Sequence, residues 1–263
     1  MIKILVPIDF SPTSVNALTY ALKLFKDADS EFTVINTYST SSPVFHMKSM
    51  ERILKKDGED KMQSLIERCK RDFPAKIIHH KVLKGDPVDV TLRTAKSGDF
   101  DLIIMGTKGA SGLREVFIGS VAGEVISRSS IGVIVIPNEY EYSSLQKIVL
   151  AFEESTLNEE TLDPLKLFVD AGIKTQFLHF TGDLDPNIFF DPGDFKFLSP
   201  EIINYPCDTD INTCLEEYVS KNKPDILVLI RSYKGFITRL YTGSVTLSQT
   251  FQGSIPLMIL KEQ

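Results

Sequence analysis

The stretch LIIMGTKGASGLREVFIGSVAGEVI, residues 102–126, decides the fold of this chain. It opens on an apolar run typical of a buried strand, and from Val121 onward its apolar residues have the spacing of a helix. Between the two lie glycines with the spacing G-x2-G-x9-G-S, at Gly106, Gly109 and Gly119-Ser120. A strand that leads through a glycine-rich loop into a helix can hold phosphate, because the backbone approaches the anion and N–H groups at the helix start bind it. An ordinary glycine-rich turn without a ligand is the alternative.

This loop is neither a Walker A sequence, because no Lys follows the last glycine, nor a G-x-G-x-x-G loop. Its spacing resembles the nucleotide loop of the universal stress protein family, whose members carry G-x2-G-x9-G-[ST]. The resemblance extends over nearly the whole chain, in two successive copies. It implies a tandem two-domain member of that family.

The two copies are visible as an internal repeat. Lys3–Asp9 recurs 144 residues later as Lys147–Glu153, whereas the later segments recur after 124 residues, so the second copy is 20 residues shorter. These later pairs are Asp101–Met105 with Asp225–Leu229, Gly119-Ser120 with Gly243-Ser244, and Ile131–Ile136 with Ile255–Leu260. We therefore predict domains at residues 1–138 and 145–263, with the second copy degenerate and the polar stretch Pro137–Gln146 as linker.

Strands and helices alternate in each copy, and near-continuous apolar strands predict an α/β fold with a parallel sheet covered on both faces. We expect two doubly wound, five-stranded, Rossmann-like domains. The resemblance further implies a pseudo-twofold relation through the last strands, Val133–Ile136 and Leu257–Leu260, which makes the chain an intramolecular pseudo-dimer. The sequence leaves open whether the whole chain also forms a homodimer.

Local signals place the individual elements. Ser11 as N-cap and Pro12 at the first position predict the first helix, and the second helix is expected over Glu51–Asp72 with an interruption at Gly58. The second copy lacks helical periodicity over Thr181–Pro206, where the 20 residues are missing. We interpret this segment as irregular, with a short strand at Ile202–Tyr205. Phe189-Phe190 is expected to cover the surface that the missing helix leaves bare.

Ligands of doubly wound sheets bind at the carboxyl ends of strands where the strand order reverses. The resemblance places that point between the first and fourth strands of the first copy, and we expect the candidate site there. Asp9 ends the first strand there, and a carboxylate accepts hydrogen bonds from ribose hydroxyls. A role for Asp9 at the start of the helix near Ser11 is the alternative, and both roles can hold at once. The resemblance assigns Asp9 to the nucleoside, Pro7 and Met105 to adenine, and Asn36 or Ile35 to closing the base pocket. It assigns the phosphates to Gly106, Thr107, Gly109, Gly119, Ser120 and Val121.

The second copy departs from this pattern at the loop. Ile230 stands in place of Gly106 and Tyr233 in place of Gly109, while Glu153 replaces Asp9. Side chains at the two glycine positions keep the backbone from approaching a triphosphate. We therefore expect one nucleotide site per chain, in the first domain.

Composition narrows the function classes. The net charge is −6 with both signs interspersed, so no nucleic-acid or membrane partner is expected, and no apolar run approaches the ~20 residues of a membrane span. The N-terminus begins directly with a strand and has no leader pattern. The three cysteines, Cys69, Cys207 and Cys214, fit neither a zinc pattern nor a disulfide framework, which favours a cytoplasmic location. The four histidines have no metal-ligand spacing, so no metal site is predicted.

Three functions are compatible with these residues. The leading hypothesis is a stress-response binding or regulatory module that binds ATP, or ADP or AMP, with any Mg²⁺ held largely by phosphates and water. The second is a slow ATPase or phosphotransferase, although no set of catalytic residues is evident. The third is a ligand-free dimerisation scaffold in which both loops are vestigial.

Overall fold

A computed structural model describes residues 1–39, 48–107, 118–138, 140–152, 158–181, 195, 198, 200–209, 211–231 and 255–262. The chain divides into two compact units. The first unit comprises Met1–Glu115 and Gly119–Tyr142, and the second comprises Val116–Ile118 and Ser143–Gln263. Among the helices that the structure describes, none has the length and apolar character needed to cross a bilayer.

The first unit alternates strands and helices as the sequence predicts. Its elements are β1 (Ile2–Ile8), α1 (Pro12–Leu24), β2 (Ser30–Tyr38), α2 (Lys48–Asp72), β3 (Ile77–Lys84), α3 (Pro87–Ser97), β4 (Leu102–Gly106), α4 (Ser120–Arg128) and β5 (Gly132–Ile136). The strand order is β3-β2-β1-β4-β5, and the paired strands are parallel. The five-stranded doubly wound sheet is thus confirmed, with its reversal of strand order between β1 and β4.

The start of α1 follows the predicted capping pattern. The Ser11 hydroxyl oxygen accepts the N–H of Ser14 at 3.3 Å, and Pro12 stands at the first helical position. Pro there loses no hydrogen bond, because the first N–H groups of a helix have no intrahelical acceptor. The β1–α1 turn is therefore fixed by local chemistry.

Helix α2 is continuous through Gly58, so the predicted interruption is wrong. A Cβ at Gly58 would lie 3.0 Å from Val82 Cγ1 and 3.2 Å from Asn36 Oδ1. The glycine therefore serves close packing of α2 on β2 and β3. Such a contact between distant segments outweighs the roughly 1 kcal/mol by which glycine disfavours a helix interior.

The second unit repeats this topology. Its elements are β6 (Lys147–Ala151), α5 (Glu159–Leu162), α6 (Lys166–Val169), β7 (Lys174–Thr181), β8 (Glu201–Pro206), α7 (Ile211–Asn222), β9 (Ile226–Arg231) and β10 (Leu257–Lys261). The order β10-β9-β6-β7-β8 matches β5-β4-β1-β2-β3 of the first unit, again with parallel pairs. The short strand expected near Ile202–Tyr205 is confirmed as β8.

The counterpart of α2 is not among the described residues between β7 and β8. An aromatic cluster of Phe152, Phe177, His179 and Phe195 lies on the corresponding sheet face instead. Phe152 stacks on His179 at a 6.0 Å ring separation, and Phe195 lies 6.5 Å from Phe177. Phe189-Phe190, which we expected to cover this face, lies outside the described residues. Aromatic rings therefore bury sheet surface that a helix covers in the first unit.

The assignment of that face follows from the strand registers. Pro7 pairs with Ile35 in the first unit, and Ala151 pairs with Leu178 in the second. Since Ala151 follows Pro7 by the repeat offset, Leu178 corresponds to Ile35 and His179 to Asn36. Asn36 faces α2, so His179 and Phe177 occupy the α2 side of their sheet.

One aspartate clamps the amino ends of two strands in each unit. In the first unit, Asp101 Oδ2 accepts the Lys3 N–H at 2.7 Å, and the Asp101 N–H donates to the Lys3 carbonyl at 2.9 Å. In the second unit, Asp225 Oδ2 accepts the Lys147 N–H at 2.9 Å, and the Asp225 N–H donates to the Lys147 carbonyl at 3.1 Å. The two copies thus keep the same amino-end hydrogen bonds.

Cys207 and Cys214 form a disulfide, with their Cα atoms 5.8 Å apart. The prediction that the cysteines fit no disulfide is therefore wrong. Cysteine usage consequently gives no argument for a cytoplasmic location. Cys207 follows β8 and Cys214 lies in the first turn of α7. The fold thus brings together two cysteines whose sequence spacing did not indicate a pair.

Candidate functional site

A cavity of about 330 Å³ opens at the carboxyl ends of β1 and β4 and lies within the first unit. Pro7, Ile35 and Met105 give it apolar walls. The other predicted site residues that line it are Asp9, Gly106, Thr107, Gly119, Ser120 and Val121. Gly109, also predicted, lies outside the described residues.

Asn36 does not line the cavity. Its side-chain amide donates to the Ile8 carbonyl at 3.0 Å, and the residue is buried on the α2 side of the sheet. Ile35, its neighbour in β2, lines the cavity instead. Successive strand residues face opposite sides, so only one of the two proposed residues can contribute.

The start of α4 forms one wall of the cavity and has no side-chain cap. Gly119 is the N-cap, with φ −65° and ψ 162°, and offers no side-chain oxygen. Its own N–H donates to the Thr107 carbonyl at 2.6 Å, and its carbonyl accepts the first intrahelical bond, from Gly123, at 2.9 Å. The N–H groups of Ser120, Val121 and Ala122 therefore have no intrahelical acceptor, and the helix dipole favours an anion beside them.

Asp9 takes part in the turn that leads into α1 and also lines the cavity. Its Oδ1 accepts the Ser11 N–H at 3.0 Å and also the Ser11 hydroxyl, while its own N–H donates to Ser14 Oγ at 3.3 Å. The same side chain is exposed and lines the cavity. Phe10 adopts a left-handed backbone conformation, with φ 63°, as the chain turns from β1 into α1. The carboxylate is thus oriented by the turn before any ligand arrives.

Gly106 is required by packing as well as by its place in the loop. A Cβ there would lie 2.7 Å from Thr13 Cγ2 and 3.1 Å from the Thr13 backbone. The first turn of α1 therefore lies directly against the end of β4. Substitution of Gly106 would disturb the fold whether or not the loop binds phosphate, so it cannot serve as a test of the site.

Sequence reasoning identified Ile35 of β2 but missed the cavity residues at the end of β2 and around the start of α3. The missed residues include Thr37, Ser39, Gly85, Pro87 and Thr91. The Thr91 hydroxyl donates to the Pro87 carbonyl at 2.7 Å, and the α3 N-cap, Asp86, accepts the N–H groups of Val88 and Asp89. The Gly85-Asp86-Pro87 turn is a recognisable helix start, but its position beside β1 depends on tertiary structure.

The fold and the position of this cavity define a class of protein. Parallel sheets with the order 3-2-1-4-5 and a crevice at the reversal of strand order are those of a doubly wound, Rossmann-like α/β protein. The model of the family described as "Universal stress protein family" matches residues 1–137, more than half of the chain. The chain therefore belongs to the universal stress protein family.

Individual proteins are similar to this chain over different lengths. Universal stress protein MJ0531 of Methanocaldococcus jannaschii is 30% identical over 139 residues, which are 51% of this chain and 81% of that protein. The crystal structure of a universal stress protein from Archaeoglobus fulgidus, 16% identical, has a TM-score of 0.74 and covers 99% of this chain and 96% of its own, which shows the shared fold. A universal stress protein solved in complex with cAMP is 22% identical, with a TM-score of 0.42 over 52% of this chain and 98% of its own.

Proposed function

We propose that the first unit binds one adenine nucleotide, ATP or its products ADP and AMP, and that the protein acts as a nucleotide-responsive binding module in the stress response. The observation that carries this proposal is the composition of one cavity. Apolar walls, an oriented carboxylate and an uncapped helix start line the same space of about 330 Å³. That volume lies at the lower end of the range of small-molecule sites.

Each part of the cavity suits one part of a nucleotide. Pro7, Ile35 and Met105 offer apolar contacts to a flat base, and the Asp9 carboxylate would accept hydrogen bonds from ribose hydroxyls. The N–H groups of Ser120 and Val121, with the Ser120 hydroxyl, would bind phosphate oxygens. Gly109 remains a predicted phosphate-binding residue because of its position in the glycine-rich loop.

The proposed role is binding rather than catalysis because of the groups that the cavity wall offers. Among the residues that the structure describes, the cavity wall offers backbone N–H groups, hydroxyls and the Asp9 carboxylate, which would hold and orient a nucleotide. A bound Mg²⁺ would be held mainly by the phosphates and water, because Mg²⁺ keeps several of its waters. Phosphate release no faster than about one per hour would accord with this role, whereas enzymes commonly turn over ~10 times per second.

The second unit supports a stoichiometry of one nucleotide per chain. By the registers of β2 and β7, Phe180 stands where Thr37 lines the cavity of the first unit. The Phe180 ring packs at 6.2 Å against Tyr205 of β8. An aromatic ring thus takes the position of a small hydroxyl side chain at the corresponding strand end.

The direct test is to denature the purified protein with acid, identify released nucleotide by chromatography, and titrate the nucleotide-free protein with ATP, with and without Mg²⁺. Gly119→Asp sharpens this test. An aspartate N-cap would accept the N–H groups of the first turn and repel phosphate, while stabilising α4 by up to about 1 kcal/mol. We expect ATP binding to fall at least about 100-fold with no loss of thermal stability.

The matched control is Gly243→Asp, at the corresponding position of the second sequence copy, where we expect wild-type ATP binding. A folded Gly119→Asp variant that binds ATP with wild-type affinity would show that the phosphates bind elsewhere. Two equivalent sites in the titration would refute the assignment of one site to the first unit.

A further inference from the structure

The cysteine pair of the second unit lies in the connection between β8 and α7. Cys207 and Cys214 are 8% and 5% exposed, but they are flanked by the exposed residues Asp208, Thr209 and Ile211. A small opening of this surface connection is therefore enough to expose the sulfur atoms. Such a pair differs from a disulfide buried in a core, which a reductant reaches only on unfolding.

Thr209 provides a hydrogen-bonding group to each sulfur. Its carbonyl oxygen lies 3.5 Å from Cys207 Sγ, and its hydroxyl lies 3.4 Å from Cys214 Sγ. A carbonyl can accept a bond from a thiol, and a hydroxyl can donate one to a thiolate. Both sulfurs would therefore have partners when the S–S bond is open, in the same backbone conformation.

The position of Cys214 also favours the reactive form of a cysteine. It lies in the first turn of α7, a helix of 12 residues, where the helix dipole stabilises a thiolate. The rest of α7 is held independently of the disulfide. The Tyr218 hydroxyl donates to Gln176 Oε1 at 3.3 Å, and the Tyr218 ring packs against Tyr205 at 5.5 Å. Opening of the bond should thus leave α7 docked on its sheet.

We propose that Cys207 and Cys214 form a reversible thiol–disulfide site that exchanges with low-molecular-weight thiols and disulfides of the glutathione class. In the oxidising direction, the Cys214 thiolate attacks one sulfur of the small disulfide and releases one thiolate. The Cys207 thiolate then attacks Cys214 Sγ of the mixed disulfide and releases the second. The two protein thiols lose two protons and two electrons, and the small disulfide becomes two thiols.

This site is independent of the proposed nucleotide binding, since it lies in the second unit and rests on different residues. Disulfides of intracellular proteins are usually transient and act in redox sensing, whereas those of secreted proteins are structural. The resistance of this bond to a physiological thiol therefore decides between the two roles.

The test is an equilibrium titration of the full chain in buffers with varied ratios of reduced to oxidised glutathione. Samples are quenched with acid, alkylated, and mapped by peptide mass. We expect Cys207 and Cys214 to change together, from two alkylated thiols in reduced glutathione to none in oxidised glutathione. Hydrogen exchange in the 207–214 connection should be about tenfold faster in the reduced form, because a disulfide restrains the chain that it closes.

Cys69 is the internal control. It is 6% exposed, and burial raises the pKa of its thiol, which lowers the thiolate fraction near neutral pH. We expect its alkylation under native conditions to stay low at every glutathione ratio, and Cys69→Ser to leave the transition unchanged. In Cys214→Ser, the remaining Cys207 should form a mixed disulfide with glutathione in the oxidising buffer.

Three results would overturn the proposal. The pair could remain reduced in oxidised glutathione, or it could stay bonded in excess reduced glutathione. Loss of the far-UV circular dichroism spectrum on reduction would show that the bond is structural.

Discussion

The two units of this protein agree at the amino ends of their strands and differ at the carboxyl ends. At the amino ends, Asp101 and Asp225 make the same pair of backbone hydrogen bonds to corresponding lysines. At the carboxyl ends, Thr37 lines a cavity in the first unit, whereas Phe180 packs on Tyr205 in the second. The two copies therefore keep the same hydrogen bonds at the amino ends of their strands and differ at the carboxyl ends.

The two units also differ in what covers one face of the sheet. Helix α2 covers one face in the first unit, and the aromatic cluster around Phe177 lies on the same face in the second. In the part of the chain that the structure describes, side chains from the sheet and a connecting segment thus bury surface that a helix covers in the first unit. The following predictions test how much the stability and the nucleotide binding of each unit depend on the residues that differ between the two copies and on those that they share.

The largest effect is expected from the aromatic cluster. Phe177→Ala should lower the free energy of unfolding of the second unit by about 3–5 kcal/mol, because truncation of a fully buried ring leaves a cavity. The matched variant is Val34→Ala, at the corresponding position of β2, which is also fully buried but loses less volume. Urea denaturation measures both. A cost for Phe177→Ala no greater than that for Val34→Ala would contradict the role of the cluster.

The next largest effect is expected when Thr37 of the first unit is replaced by the residue type found at the corresponding position, Phe180, of the second. Thr37→Phe should reduce ATP affinity by about 100-fold or more, since the ring would occupy cavity volume and displace the nucleotide. Phe180→Thr, the reverse exchange, should leave the stoichiometry at one nucleotide per chain. Isothermal titration calorimetry gives both quantities. Unimpaired binding by Thr37→Phe would mean that this part of the cavity is not used.

A smaller effect is expected at Asp9, which follows β1. Asp9→Asn keeps an oxygen that can accept the Ser11 N–H but removes the charge, and we expect about a tenfold loss of ATP affinity. Glu153→Gln, at the corresponding sequence position, should change nothing. Competition titrations with a fluorescent ATP analogue can resolve this difference. Sensitivity of binding to Glu153→Gln alone would mean that the second unit holds the working site.

The smallest effect is expected from Asp101 and Asp225, which form hydrogen bonds with the amino ends of strands. Asp101→Ala and Asp225→Ala should each cost about 1 kcal/mol of stability, the typical net value of a hydrogen bond near the surface. Neither variant should alter the affinity for ATP, because Asp101 lies at the opposite end of its strands from the cavity and Asp225 belongs to the second unit. Parallel denaturation and binding measurements separate the two effects. Weakened ATP binding in Asp101→Ala would argue against this division between the two ends.

Most of the fold could be predicted from the sequence because its signals are local or repeated. Apolar strands, the Ser11-Pro12 helix start and the internal repeat each depend on nearby residues or on self-comparison. Gly58, Gly106 and the Cys207–Cys214 pair were misjudged or only partly understood because their reasons are contacts with distant segments. For the same reason the sequence identified cavity residues on β1, β2 and β4 and missed Thr37 and Gly85.

The hydrogen bonds that Asp101 and Asp225 form also bear on the order in which the chain can fold. Lys3 and Asp101 are 98 residues apart, and Lys147 and Asp225 are 78 apart. Loop-closure entropy grows only with the logarithm of length, so the shorter connection favours closure by only about 0.2 kcal/mol. The 20-residue shortening of the second copy therefore changes the closure entropy very little. During synthesis, β1 must remain without its β4 neighbour until about a hundred residues have been made, so the centre of the first sheet is among the last parts to be completed.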